Sequence, residues 1–188
     1  MRRLITVFYY MAQTHQNERL KVCISTSEMD EAAWKYAHRK QIILDGTFGV
    51  CSSQMLLFIA MGIDEDGKGV PLALFLFLAP TGNRATHAGY NREILRELLE
   101  KWKMHLTSKD SMMIFYPLVA ITDTDTKERG ALQDVWPCIW LLLCHFHLWQ
   151  CWMNCHKRSL SAKDADFLEA PCSAESVRSR SSVHLQKT

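Results

Sequence analysis

Three apolar runs, QIILDGTFGV at 41–50, MLLFIAMGI at 55–63 and VPLALFLFLA at 70–79, follow one another with only four and six residues between them. Links that short cannot carry a crossover between parallel strands, which needs a dozen residues or more. The three runs are therefore expected to be neighbouring antiparallel strands. The second link, DEDGKG, contains Asp66-Gly67, a pair suited to a tight hairpin turn. Its acids, Asp64, Glu65 and Asp66, do not have the spacing of a calcium loop and are read as a solvated turn.

The pattern then changes period. In NREILRELLEKWKMHL the residues Ile94, Leu95, Leu98, Leu99 and Trp102 recur on one helical face, with Glu97 and Lys101 four apart on a side expected to be solvated. FYPLVAITD reads as a fourth strand, TKERGALQDVW as a helix, CIWLLLC as a fifth strand and HFHLWQCWMNCHKR as a final helix. Three strands followed by alternating helices and strands predict an α/β fold. Its sheet is expected to be mixed and five-stranded, three antiparallel strands and then βα units, with flanking helices in three layers. That is the order of the ribonuclease H-like fold, in which the first and fourth strands lie side by side at the sheet centre. Residues 1–37 form an N-terminal lead-in, with strands expected at LITVFYY and RLKVCIS and a short helix at SEMDEAAWKYAHRK. Residues 38–158 are expected to hold the main domain, incomplete at its C-terminus. Residues 159–188, ending in SAESVRSRSSVHLQKT, are serine-rich and basic and are expected to be a flexible tail.

Charge and cysteine usage narrow the functional classes. A formal net charge of +2 gives no overall electrostatic footprint for nucleic acid, so any basic surface has to be local. Seven cysteines, an odd number, with four between positions 138 and 155, point to a reducing compartment and not to secretion. The runs VPLALFLFLAP and VWPCIWLLLC fall short of the roughly 20 residues a spanning helix needs, so no membrane segment is expected. There is no Walker A loop, no GxSxG elbow and no GxGxxG. Cys51-Ser52-Ser53 with His87 lacks any spacing that would make it a nucleophile and base.

Two aspartates carry the candidate chemistry. Asp45 in QIILDGTFG and Asp123 in LVAITDTDTKERG each close a strand-like run where a sheet meets solvent. Strands of one sheet can bring such carboxylates together, and clustered carboxylates suit Mg²⁺. Asp125 would share a face with Asp123 if the strand continued, but is better placed to cap the next helix. Cys144, His147, Cys151 and Cys155 recur along one helix face, with His145 and His156 beside them. They are zinc ligands only if a second element supplies the rest of a tetrahedron, and otherwise pack as small apolar groups. Trp136, Trp140, Trp149 and Trp152 are read as core, with base stacking as the alternative.

The strings ILDGTFGVCSSQMLLFIAMGIDEDGKGVPLALFLF, AITDTDTKERGALQDVWP and IWLLLCHFHLWQCW together resemble the catalytic domain of Mutator-like element (MULE) transposases, particularly fungal members. The resemblance covers about residues 30 to 156 and rests on three ordered motifs. These are Asp-Gly-Thr from Asp45, Thr-Asp-x-Asp from Thr122, and Cys-x-x-His from Cys144 to His147. The resemblance implies metal-dependent hydrolysis and strand transfer at DNA phosphodiesters by an Asp, Asp, Glu triad. Mg²⁺ or Mn²⁺ is the implied cofactor, with Asp45 as the first acid and Asp123 as the second. DNA at transposon ends, a homo-oligomeric assembly and the nucleus are implied with it. The family's glutamate comes beyond an inserted helical region; here no Asp or Glu occurs between Val135 and Lys163, and Glu169 and Glu175 lie in the tail. The expectation is thus a truncated transposase domain with two identifiable acids. Its alternatives are a catalytically inactive remnant that keeps DNA or partner binding, and a zinc-dependent binding module at 144–156.

Overall fold

The structure is a computed structural model that describes residues 5–15, 18–48, 55–79, 90–109 and 113–159. Its strands are β1 (Ile5–Met11), β2 (Lys21–Thr26), β3 (Gln41–Phe48), β4 (Met55–Ile63), β5 (Gly69–Leu78), β6 (Val119–Thr122) and β7 (Trp140–Leu143). Its helices are α1 (Ser27–Ala32), which runs into a π-helical turn at Ala33–Ala37, α2 (Arg92–Lys109), α3 (Thr126–Val135) and α4 (His145–Ser159). The chain divides into two compact units, Met1–Leu148 and Trp149–Thr188.

In the first unit all seven strands form one sheet in the order β1-β2-β5-β4-β3-β6-β7. The β3-β4-β5 meander is antiparallel, as its short links require, and β6 and β7 add in parallel beside β3. The turn between β4 and β5 closes on Gly67 at φ 77°, a left-handed conformation that glycine adopts without a Cβ clash. Asp64 Oδ1 steadies it by accepting the N–H groups of Asp66 (3.0 Å) and Lys68 (2.8 Å). The five-stranded sheet expected from the sequence is therefore extended to seven. The lead-in hairpin β1-β2 does not stand apart: β2 pairs antiparallel with β5, placing Cys23 opposite Phe75. The outer edge of β5 was open, and an apolar strand with unpaired backbone groups covers it.

Strand alternation divides the sheet into two unlike faces. Cys23, Phe75, Phe58, Leu44, Ile42 and Ala120 are in register on one face and fully or almost fully buried. Onto this face pack the π-helical turn, α2 and the end of α3. Phe75 meets Trp102 edge-on at 5.9 Å, Trp102 meets Trp136 at 6.2 Å, and Trp34 meets Phe115 at 5.6 Å. On the opposite face Ile43, Ile121 and Leu142 lie level with one another, and Leu142 is half exposed. Among the described residues, the helices up to α3 thus lie on one side of the sheet.

Two further expectations are corrected. Glu97 does not sit on a solvated side paired with Lys101: its carboxylate takes Lys21 Nζ at 2.5 Å and the Tyr9 hydroxyl at 2.5 Å, tying α2 to the lead-in hairpin. Lys101 instead lies over the Tyr9 ring at 5.1 Å. Of the tryptophans read as core, Trp136 is fully buried but Trp140 on the edge strand β7 is 74% exposed. In the second unit Trp149 and Trp152 are half exposed, and Trp152 meets His156 edge-on at 4.3 Å. No described helix is long and apolar enough to cross a membrane. The tail from residue 160, Glu169 and Glu175 within it, and Cys51, Ser52, Ser53 and His87 lie outside the described residues.

Candidate functional site

β3 and β6 are adjacent, parallel and central, and their register runs Gln41 to Val119, Ile42 to Ala120 and Ile43 to Ile121. Continued by two residues, that register brings Asp45 level with Asp123. β3 does not end at Asp45, as the sequence suggested, but runs on to Phe48 while β6 stops at Thr122. The β6-side edge of β3 is therefore left open beside Asp45. Its side chain is 42% exposed there, at the carboxyl end of a parallel pair, where α/β sheets gather their polar groups.

Two short turns hold the Asp123 segment in place. Asp123 Oδ1 accepts the N–H of Asp125 at 2.7 Å, and Asp125 Oδ1 accepts the N–H of Lys127 at 2.7 Å. Asp125 is the N-cap of α3, the role its sequence position suggested. The chain thus leaves β6 and enters α3 within three residues, which sets the first turn of the helix over the strand tip. Arg129 fastens this turn to the sheet, donating to Thr122 Oγ1 (3.2 Å) and to the carbonyls of Leu142 and Leu141 (both 3.4 Å).

That first turn carries a residue the sequence reading overlooked. Glu128 is 1% exposed, and its Oε1 is buried with no hydrogen-bond partner. Burial pushes its carboxyl up to about 9, and the negative charges of Asp123, Asp125 and Asp45 push the same way, with Arg129 opposing. Tyr90 reports the same negative field: burial raises its phenol, followed by its hydrogen bond to Asp125 and the charges of Asp125, Glu128 and Asp123. The charges of Asp123, Asp125 and Asp45 thus all act on the Glu128 carboxyl. A sequence signal for Glu128 existed: Glu128, Ala131, Leu132 and Val135 recur at helical spacing, and all four are buried. An acid on the apolar stripe of a helix has to face something other than water.

The Cys-x-x-His motif reaches the same place. The backbone N–H of Cys144 donates to the carbonyl of Thr122 at 2.6 Å, carrying the β6–β7 ladder to its end. One turn into α4, His147 Nε2 stands 3.9 Å from Asp45 Oδ1, while its Nδ1 is buried without a hydrogen-bond partner. Cys144 is half-buried, and Cys151 and Cys155, in the second unit, are exposed, so these two do not pack as apolar core groups. Among the described residues, no three His, Cys, Asp or Glu side chains are close enough together to form a ready-made metal cage.

The first unit is thus a mixed α/β domain whose two adjacent central strands carry or lead into aspartates, Asp45 within β3 and Asp123 directly after β6. The MULE transposase domain family matches residues 41–151, more than half of the chain and the whole of this acidic edge. The chain belongs to that family, and with it to the transposases of Mutator-like transposable elements that act in DNA transposition. No curated protein matches the chain.

Proposed function

We propose that the chain cuts and transfers DNA strands at transposon ends, in the nucleus, using Mg²⁺ or Mn²⁺ held at Asp45 and Asp123. The observation that carries this reading is the parallel register of β3 and β6, which, continued by two residues, would bring Asp45 level with Asp123. The order β5-β4-β3-β6-β7 supports a ribonuclease H-like arrangement, in which such a pair is central. The residue types suit a hard cation: two aspartates carried by adjacent parallel strands and, on α3, a buried carboxylate oxygen with no hydrogen-bond partner. When bound, such ions lower the pKa of an attacking water or 3′-hydroxyl and stabilise the leaving oxygen.

The chain's own part is positioning. β3 fixes Asp45 from a paired strand, and the Asp125 N–H fixes one oxygen of Asp123 while leaving the other for a ligand. His147, 3.9 Å from Asp45, is placed to orient that carboxylate or to meet a phosphate oxygen beside it. Among the described residues, no three such side chains form a cage for an ion. The same fact favours a second reading, a remnant that binds DNA without catalysing transfer. One assay separates the two. Mg²⁺-dependent strand transfer by the full chain, reduced at least a hundredfold in Asp45→Asn, is the expected result. Undiminished transfer by Asp45→Asn overturns the metal assignment, and DNA binding with no transfer by the wild-type chain establishes the remnant.

A further inference from the structure

Among the described residues, Arg39 is the only one other than glycine with a positive φ, 55°. That left-handed conformation crowds a Cβ against the backbone and favours glycine, so an arginine there is strained. The turn is held through the backbone. The Arg39 N–H donates to the Tyr116 carbonyl at 2.8 Å and the Lys40 N–H to the Ala37 carbonyl at 3.1 Å, while the Lys40 carbonyl accepts from Leu118 (2.8 Å) and Val119 (3.1 Å). The Arg39 side chain takes no part in this: the residue is exposed, and its guanidinium has no hydrogen bond or ion pair among the described residues. Strained positions of this kind cluster where a side chain serves a ligand.

Arg39 and Leu118 border two adjoining clefts, one of about 610 Å³ walled by His38 and Tyr116, the other of about 440 Å³ running past Tyr36, Lys40 and Asp64. The acids beside them are engaged. Glu65 takes Lys35 Nζ at 2.8 Å and the Tyr36 hydroxyl at 2.7 Å, and Asp64 Oδ1 takes the N–H groups of Asp66 and Lys68. Lys40 Nζ donates to the Lys35 carbonyl at 2.8 Å, which leaves its charge without a carboxylate. Two consecutive cations thus border an open groove with no acid paired to either among the described residues. An extended polyanion suits such a run, and for a chain that acts in DNA transposition the polyanion is DNA. We propose that Arg39 and Lys40 form a further DNA-contacting surface that takes backbone phosphates where β3 and β6 begin, away from Asp45 and Asp123. The choice of DNA rests on the function proposed above. Gln41 to Asp45 spans about 13 Å at 3.3 Å per residue, about four base pairs, so one duplex is long enough to meet both places.

Fluorescence anisotropy of the full chain with a labelled duplex of about 30 base pairs and arbitrary sequence, in EDTA, reads binding apart from strand transfer. Arg39→Gly should bind about fivefold more weakly than wild type at about 0.1 M salt, and its slope of log K against log salt should be shallower by about 0.9, the value of one phosphate contact. Glycine takes φ 55° without strain, so the urea midpoint of this variant should be at or above that of wild type, which separates a lost contact from lost folding. Arg39→Lys keeps the charge and should bind within about twofold of wild type. Lys40→Gln alters no strained position and should show the same shallower slope; it decides the matter should Arg39→Gly prove less stable. Wild-type affinity and slope in either neutral variant refute the surface and leave the strand-transfer reading standing. Poly-L-glutamate that binds wild type as tightly as the duplex, and loses the same factor in Arg39→Gly, also overturns it in favour of an acidic protein segment. If the wild-type chain binds no duplex, both readings fall together.

Discussion

Replacing Glu128 by glutamine should make the protein more stable at neutral pH in the presence of a chelator, and by an amount that depends on pH. Its carboxyl is held up to about 9, against an ordinary value of 4.5, by burial first and by the charges of Asp123, Asp125 and Asp45 after it. Between those two values the folded chain holds a proton that the unfolded chain has released. The stability associated with that proton is fully present below pH 4.5 and is lost progressively as pH rises towards 9. At pH 7 the loss covers about two and a half pH units at ~1.4 kcal/mol each, roughly 3 kcal/mol. Glutamine has nearly the shape of the protonated acid and takes up no proton in either state, so it escapes this loss.

Urea unfolding, followed by tryptophan fluorescence in EDTA at pH 4.5, 6, 7 and 8, measures the effect directly. Wild type and Glu128→Gln should be within about 0.5 kcal/mol of each other at pH 4.5 and diverge to roughly 3 kcal/mol at pH 7, the variant being the more stable. A difference that stays constant across this range, or a variant less stable at pH 7, refutes the reasoning. Either result would mean that Glu128 is ionised at neutral pH, stabilised by groups already around it.

Glu97 should show the opposite sign. Burial works against its charge, but hydrogen bonds from Lys21 and Tyr9 outweigh that and hold its carboxyl below the ordinary 4.5, so its contribution is present above that pH and fades as pH falls through the lowered value. Glu97→Gln should cost about 1 kcal/mol at pH 7 and close to nothing at pH 3, as read from the same urea curves; an equal cost at both refutes the ion-pair account. Trp136 is fully buried, donates its indole N–H to the Phe115 carbonyl at 3.2 Å and lies edge-on to Trp102. Trp136→Ala should lower stability by about 3–5 kcal/mol, and a loss under about 1 kcal/mol would show that the ring cluster does not hold α2 and α3 to the sheet.

What the sequence disclosed follows from how local each feature is. The antiparallel meander was legible because links of four and six residues leave no alternative, and the Asp66-Gly67 turn because it needs the positive φ that Gly67 adopts. That β3, which carries Asp45, and β6, which precedes Asp123, lie side by side was legible because the element order alone predicts it. The seven-stranded sheet was not: that β1-β2 is a hairpin is local information, whereas its docking on β5 depends on which edge is free once the meander has formed. Glu97 was misread for the same reason. Helical periodicity ranks neighbours along α2 and knows nothing of Lys21 and Tyr9, brought up from the lead-in.

Glu128 belongs to a different class, because the information was local and pointed two ways. As an acid in the first turn of a helix it satisfies the dipole, which is sufficient reason for a glutamate there and invites no further question. As a member of the stripe Glu128, Ala131, Leu132 and Val135 it breaks the apolar pattern of that same helix. The first rule is met by any acid in the turn, including one that points to water, so it does not explain why this one is buried. Only the second distinguishes the site. A broken pattern with no compensating partner in the fold is where stability has been given up, and the worked cost at pH 7, roughly 3 kcal/mol, is large against the 5–15 kcal/mol that keeps a domain folded. That cost falls beside β6, where the charges of Asp123, Asp125 and Asp45 act on the same buried carboxyl, so an uncharged glutamine there relieves the burial and the repulsion together.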